Sequence, residues 1–286
     1  MQTIFDKQLV KNTVETQVQL ESKSQKWNFK VYKRIVKRYK KRLERMVETR
    51  MHLGHHPSFW NPKMGPYIYS NKDKTSYINL VETVFRLEHV LQFLTLQASQ
   101  GKRFLFIGTE KQATAIIAET AASCHSFFVN EKWLGGMLTN WKTMKKSIGK
   151  LSELERAEKE GVFESLPKKE AASTKKRKDR LTLSLGGLKR MTSVPDVVII
   201  VGQPTEMNAV RECQKMGLRS VTILDTDCDP SMADLFIPAN DDSVRSLDFL
   251  LTAFKTAIQK GQSLLDTSKL PLQEEVGHHK RGTGTK

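Results

Sequence analysis

Several short stretches of this chain carry residue types at spacings that ligand binding or catalysis uses. His52, His55 and His56 form the pattern HxxHH. On a helix, His52 and His56 would share one face at i, i+4, and paired imidazoles of that kind hold metal ions. Gly54 and Pro57 break such a helix, and no Cys or acidic residue stands close by in sequence. DTDCDP sets Asp225, Asp227 and Asp229 in one turn. Their carboxylates are the hard oxygen ligands that Mg²⁺ takes. That turn lacks the Gly and the distal Glu of a calcium loop, and acidic turns also cap helices and pair with lysines. Cys124-His125 joins a thiol and an imidazole in sequence, but no third member of a nucleophile set can be named. Gly108 closes an apolar run and opens a helix, the setting in which a backbone turn receives phosphate. The GxGxxG and P-loop lysine patterns are both missing from that turn.

The stretch of residues 132–147, KWLGGMLTNWKTMKKS, offers a different chemistry. Gly135-Gly136 frees the backbone for positive φ or for close approach of another molecule. Thr139 or Asn140 is placed to cap the helix that follows. Lys132, Trp133, Lys142, Lys145 and Lys146 then set aromatic surface beside clustered ammonium groups. Rings stack on unpaired bases and ammonium groups meet phosphate, so the segment suits RNA. The competing reading is a Trp-anchored turn between a strand and a solvated helix.

These residues need elements to hold them. Residues 81–98 read as a helix. Residues 102–121 read as a buried strand, a turn and a helix, because Phe104 to Ile107 is a continuous apolar run of the kind found in parallel strands covered on both faces. Phe127 to Val129 gives a second strand. VPDVVIIV gives a third, with Pro195 at its mouth. The helix of TEMNAVRECQKMG, closed by Gly217, leads to a fourth in SVTILDTDCDP. FIPANDD supplies a fifth strand and a closing helix, with Asn240 or Asp241 as its expected cap. The pattern predicts an α/β fold in three layers around a doubly wound, mostly parallel five-stranded sheet. Between residues 145 and 190 that alternation is interrupted. Ile148, Leu151 and Leu154 mark one helix, 161–167 break it, and a lysine-rich second helix follows, predicting an antiparallel helical hairpin inserted in the domain.

Ahead of this domain, Val31, Ile35, Tyr39, Leu43 and Met46 recur at helical spacing among nine Lys and Arg residues. Such a basic amphipathic helix lies along an RNA backbone or on a membrane surface. Tyr39 on the apolar face fits packing on the domain, and Lys37, Arg38 and Lys41 are its candidate RNA contacts. The expected division is an N-terminal extension over 1–50, an α/β domain over 51–144 and 191–262, the hairpin over 145–190, and a mobile tail over 263–286. Residues up to Lys26 are polar and read as loosely ordered.

Several of these strings together resemble the family of the second protein of the small ribosomal subunit, in its bacterial and organellar form. They are KWLGGMLTNW, FLFIGTEKQA, WNPKMGPYI from Trp60, DTDCDP and IPANDD, in the family's order from about Gly54 to Gln259. The resemblance implies a flavodoxin-like sheet with a coiled-coil-like insertion, no bound nucleotide and no chemistry at the acidic turn. It implies a place at the back of the small subunit, between head and body, in contact with ribosomal RNA and neighbouring ribosomal proteins. Lys63, in WNPKM, becomes a candidate phosphate contact. The sequence departs from the family at SNKDKTSYINL, and Asp227 stands where Asn is usual.

Composition agrees with a polyanion partner. The chain has 286 residues and a net charge of +16. No apolar run approaches the roughly 20 residues that span a bilayer. Cys124, Cys213 and Cys228 are too few and too widely spaced for a disulfide framework and predict buried thiols. The start lacks a secretory h-region and carries Asp6, Glu15 and Glu21, unlike acid-poor transit peptides. The expectation is therefore a non-enzymatic structural constituent of the small ribosomal subunit that binds rRNA and takes part in translation. No cofactor, membrane or small-molecule substrate is expected. The chloroplast is the expected compartment, with the mitochondrion and the bacterial cytoplasm as alternatives. The contrasting function is an α/β enzyme working in the acidic crevice at the strand ends.

Overall fold

The structure, a computed structural model, describes residues 29–269, with side chains from Lys37 to Asp266. The expectations for residues before Phe29, for the side chains up to Val36 and for the tail beyond Lys269 lie outside these residues.

The apolar runs form one sheet. β3 (Phe104–Ile107), β4 (Phe127–Val129), β5 (Val197–Ile200), β6 (Arg219–Leu224) and β7 (Leu235–Pro238) pair in the order β4-β3-β5-β6-β7. Every pairing is parallel, with Leu105 opposite both Phe127 and Val198, and Val221 opposite Leu235. The order reverses between β3 and β5, which opens a crevice at the carboxyl ends of those strands.

Period-two alternation divides the strand side chains between two cores. Phe104, Phe106, Val197, Ile199, Val221 and Ile223 face one layer, made of α2 (Leu80–Ser99), α3 (Lys111–Ser123) and α7 (Val244–Lys269). α1 (Phe29–Glu48) lies on α2, with Leu43 and Met46 buried in that same core. Leu105, Ile107, Val198 and Ile200 face the opposite layer. There they meet α6 (Met207–Met216), Trp133 and Met137 of the loop after β4, and the base of a hairpin. The hairpin consists of α4 (Trp141–Lys159) and α5 (Lys168–Leu185), which pack on each other. Lys178 reaches both carboxylate oxygens of Glu158 at 2.7 Å, and Lys189 pairs with Glu155, so these cations are held inside the hairpin.

Local signals explain the element ends. Asn79 caps α2 by accepting from the Val81 N–H at 3.0 Å. Gly217 ends α6 with φ 64°, a left-handed position that glycine takes without strain. Two local expectations are corrected, and one stretch with no assigned element gains one. α7 is entered through Ser243, whose hydroxyl accepts from Ser246 N–H, while Asn240 instead ties down the preceding turn through the Asp242 and Ser243 amides. α7 also continues to Lys269, past the expected boundary at 262. And SNKDKTSYINL forms a hairpin: β1 (Ile68–Lys72) pairs antiparallel with β2 (Thr75–Ile78). Its turn residues Asp73 and Lys74 both have positive φ, 48° and 63°, as a tight hairpin turn requires.

Candidate nucleic-acid interface

The loop from Asn130 to Asn140 has no regular backbone hydrogen bonding, yet it is held tightly by one side chain. Glu212, on α6, is buried and points its carboxylate into the loop. Oε1 accepts from Trp133 Nε1 at 3.1 Å and from Gly136 N at 2.7 Å. Oε2 accepts from Leu138 N, Thr139 N and Thr139 Oγ1, each at 3.0 Å. Burial pushes the Glu212 pKa up, but the Thr139, Gly136 and Leu138 amides and the indole N–H outweigh burial and hold it below the usual carboxylate value. Gly136 takes φ 89° to turn its N–H inward, the positive-φ role expected of this glycine pair.

This arrangement separates the candidates of that segment. Trp133 is only 9% exposed and its ring belongs to the core beside Met137 and Ala209, so it is no stacking platform for a base. The Trp-anchored turn is the reading that holds for this residue. Lys132, Lys142, Lys145 and Lys146 are all exposed. The last three sit at i, i+3 and i+4 on the first turns of α4, on one helix face. Met144 and Ile148 fix that helix to the core from the other face. Asn140 occupies the cap position without a side-chain cap bond, and the Thr139 hydroxyl goes to Glu212 instead, so neither residue caps α4 as expected.

On α1, Lys37, Arg38 and Lys41 are exposed as expected. The buried stripe of Leu43 and Met46 anchors the helix. An ion pair from Arg42 to Glu88 of α2 and the guanidinium of Arg45 over Phe249 hold its flanks. Because α1 lies on the α2 side of the sheet and α4 on the α6 side, the two cationic groups stand on opposite faces of the fold. The structure does not bring them together. Lys63 stands apart from both: it pairs with Asp229 at 2.7 Å and bonds Ser231 Oγ at 2.9 Å, which neutralises its charge locally.

The motifs with other chemistry are absorbed by packing. The three histidines diverge: His52 stacks on Tyr77, His56 accepts from Ser58 N, and only His55 enters the strand-end crevice. His55 meets residues from two distant segments, with Nδ1 3.2 Å from Asp225 Oδ2 and Nε2 3.4 Å from Asp242 Oδ2. These three could offer ligand atoms within 4.8 Å of one another. Each ring nitrogen lies beside a carboxylate, so a protonated ring is compensated on both sides. The Asp225 bond foremost, with the charges of Asp225, Asp227 and Asp242, raises the His55 pKa to about 9 against the opposing effect of burial. Asp229 turns away to Lys63 and Ser231, so Asp225, Asp227 and Asp229 form no common oxygen cage.

At the Gly108 turn, a Cβ would lie 2.4 Å from Ile117 Cδ1, so this glycine serves close strand–helix packing. The next amide, Thr109 N, donates to Glu206 Oε1 at 2.9 Å, and the Thr109 hydroxyl donates to the same oxygen at 2.5 Å. The Thr109 amide and hydroxyl are thus both taken by a carboxylate of the chain itself. Cys124, Cys213 and Cys228 are free and buried. Burial pushes the Cys124 thiol up to about 11 and Cys213 to about 12, so neither is a ready nucleophile. Among the described residues no helix is long and apolar enough to cross a membrane.

Sequence reasoning missed Glu212 and the partners of His55. Glu212 stands in an ordinary amphipathic helix, and nothing in its neighbourhood marks a carboxylate that is received by a loop more than seventy residues earlier.

Comparison with known proteins completes the picture. The family model described as Ribosomal protein S2 matches residues 46–261. Small ribosomal subunit protein uS2c of Oltmannsiellopsis viridis is 55% identical over 222 residues, covering 78% of this chain and 93% of the relative. The protein of the same name from Chlorella vulgaris is 50% identical over 223 residues, covering 78% and 84%. Small ribosomal subunit protein uS2 of Trichormus variabilis is 46% identical over 233 residues, covering 82% and 86%. The chain therefore belongs to the ribosomal protein S2 family and is a structural constituent of the small ribosomal subunit, not an enzyme.

Proposed function

We propose that this protein holds small-subunit rRNA at two cationic surfaces on opposite sides of a rigid sheet. One is the α4 surface of Lys132, Lys142, Lys145 and Lys146; the other is the α1 surface of Lys37, Arg38 and Lys41. The work is electrostatic and geometric: each ammonium or guanidinium neutralises a phosphate and releases counterions, while the packed sheet fixes the spacing between the surfaces. The observation that carries the reading is the exposure of these cations, all but the loop residue Lys132 on helices whose other faces are locked in the two cores. Lys63 contributes little to phosphate binding, because Asp229 already faces it, and Trp133 contributes from the core as the anchor of the loop.

In this reading residues 1–50 are a basic extension, 51–144 and 191–262 the rigid unit with α7 running past it to Lys269, and 145–190 an inserted hairpin. Small-subunit rRNA and neighbouring ribosomal proteins are the partners, and neither membrane nor small-molecule substrate enters. The working compartment is the plastid, which the plastid-form names of the relatives support. Co-sedimentation of the tagged chain with plastid small ribosomal subunits tests the proposal. The chain should travel with the subunit at low salt and leave it as salt is raised; a chain that stays at the top of the gradient under all salts would refute it.

A further inference from the structure

We propose that Glu212 is the positioning residue of the α4 surface. Its carboxylate acts as the internal anion around which residues 133–139 fold, and so sets where Lys132 and the first turns of α4 point. This inference rests on the reading of that surface as an RNA contact.

The geometry separates this role from ordinary packing. Five donors converge on one carboxylate: the indole N–H of Trp133, the amides of Gly136, Leu138 and Thr139, and the Thr139 hydroxyl. The segment has no sheet or helix partner to satisfy those amides, so the carboxylate substitutes for secondary structure. A buried anion with five donors is fully compensated, and each bond to a charged acceptor is stronger than a neutral one. The carboxylate thereby orders the loop that leads into α4 without competing for phosphate, because its oxygens are already engaged.

The chemistry makes a specific demand on the side chain. Both oxygens must accept, Oε1 from two donors and Oε2 from three. A Gln presents an NH₂ group in place of one oxygen, which sets donor against donor whichever way the amide turns. An Asp falls one methylene short. Glu212→Gln, nearly isosteric, therefore fails where a space-filling role would tolerate it.

The test uses the full chain carrying Glu212→Gln, alone and combined with Lys142→Ala/Lys145→Ala/Lys146→Ala. Hydrogen exchange reads the loop, and affinity for small-subunit rRNA reads the surface. In Glu212→Gln the amides of Gly136, Leu138 and Thr139 should exchange at least about tenfold faster, and rRNA affinity should fall several-fold. In the triple-lysine background the same change should cost much less, because of the cations it positions only Lys132 remains. Unchanged exchange at the three amides overturns the inference. So does faster exchange with unchanged affinity, or a loss that is fully additive with the lysine changes. If the triple-lysine protein itself binds rRNA as tightly as the parent, the surface assignment fails, and the positioning role fails with it. Should Glu212→Gln not fold, Thr139→Val removes one of the five donors and keeps the rest; it should reproduce the faster exchange and the coupling to the lysines in milder form, and additive costs there overturn the inference equally.

Discussion

Replacing Lys142, Lys145 and Lys146 together by alanine should change how rRNA binding responds to salt. All three ammonium groups are exposed on one face of α4, and among the described residues none pairs with a carboxylate, in contrast to Lys178 and Lys189 of the same hairpin. Each phosphate they neutralise releases counterions, which contributes roughly 0.7 to 0.9 to the slope of log affinity against log salt. Three contacts amount to a slope of about 2 to 3. Over the fourfold rise from about 50 to 200 mM salt, the parent should therefore lose about 20 to 40 times more affinity than the variant does. Alanine favours helix, and Met144 and Ile148 remain in the core, so α4 should stay folded. Filter binding or fluorescence titration against small-subunit rRNA at four salt concentrations measures the slope, with circular dichroism as the check on folding. A folded variant with the parent's slope would refute the reasoning, because these lysines would then be solvated surface and nothing more.

Other consequences follow from the same structure. Lys37→Ala/Arg38→Ala/Lys41→Ala should lower the salt slope by a similar amount, and the two triple variants should add, since the groups lie on opposite faces of the sheet and share no partner. Lys63→Ala should leave that slope nearly unchanged and cost under about 1 kcal/mol in a denaturant melt, because its charge faces Asp229 at the surface. His55 gives a pH dependence. Its folded pKa of about 9 lies above the ordinary 6.5, so its contribution is complete below about pH 6.5 and is lost as pH rises through 9. The shift sets a ceiling of about 3 kcal/mol, which partial exposure reduces to roughly 1 to 2. Urea melts of the parent between pH 6 and 10 should show this decline, and His55→Ala should flatten it.

The fold was legible because its signals are local. The run from Phe104 to Ile107, the strand VVII and the helix closed by Gly217 each declare themselves within a few residues. Their alternation leaves few topologies for a parallel sheet. The cations of α1 and α4 were legible too, since exposure follows from helical periodicity. What sequence could not supply was the partner across the chain. Trp133 looks the same whether it stacks on a base or fills a core, and only the position of Glu212 on α6 decides between them. Lys63 looks like a phosphate contact until Asp229, far along the chain, is found beside it. His55 was read with its sequence neighbours, but its partners Asp225 and Asp242 come from the ends of other strands. The β1–β2 hairpin escaped because Asp73-Lys74 lacks the glycine that usually announces a turn with two positive φ angles.

The central claim is that two separate cationic faces of one stiff scaffold touch rRNA. Lysine-directed protein–RNA crosslinking in assembled plastid small subunits tests it most directly. Crosslinks should appear at Lys142, Lys145 and Lys146 to one stretch of rRNA, and at Lys37 and Lys41 to a different stretch. Crosslinks absent from both sets, in subunits that contain the protein, would contradict the account.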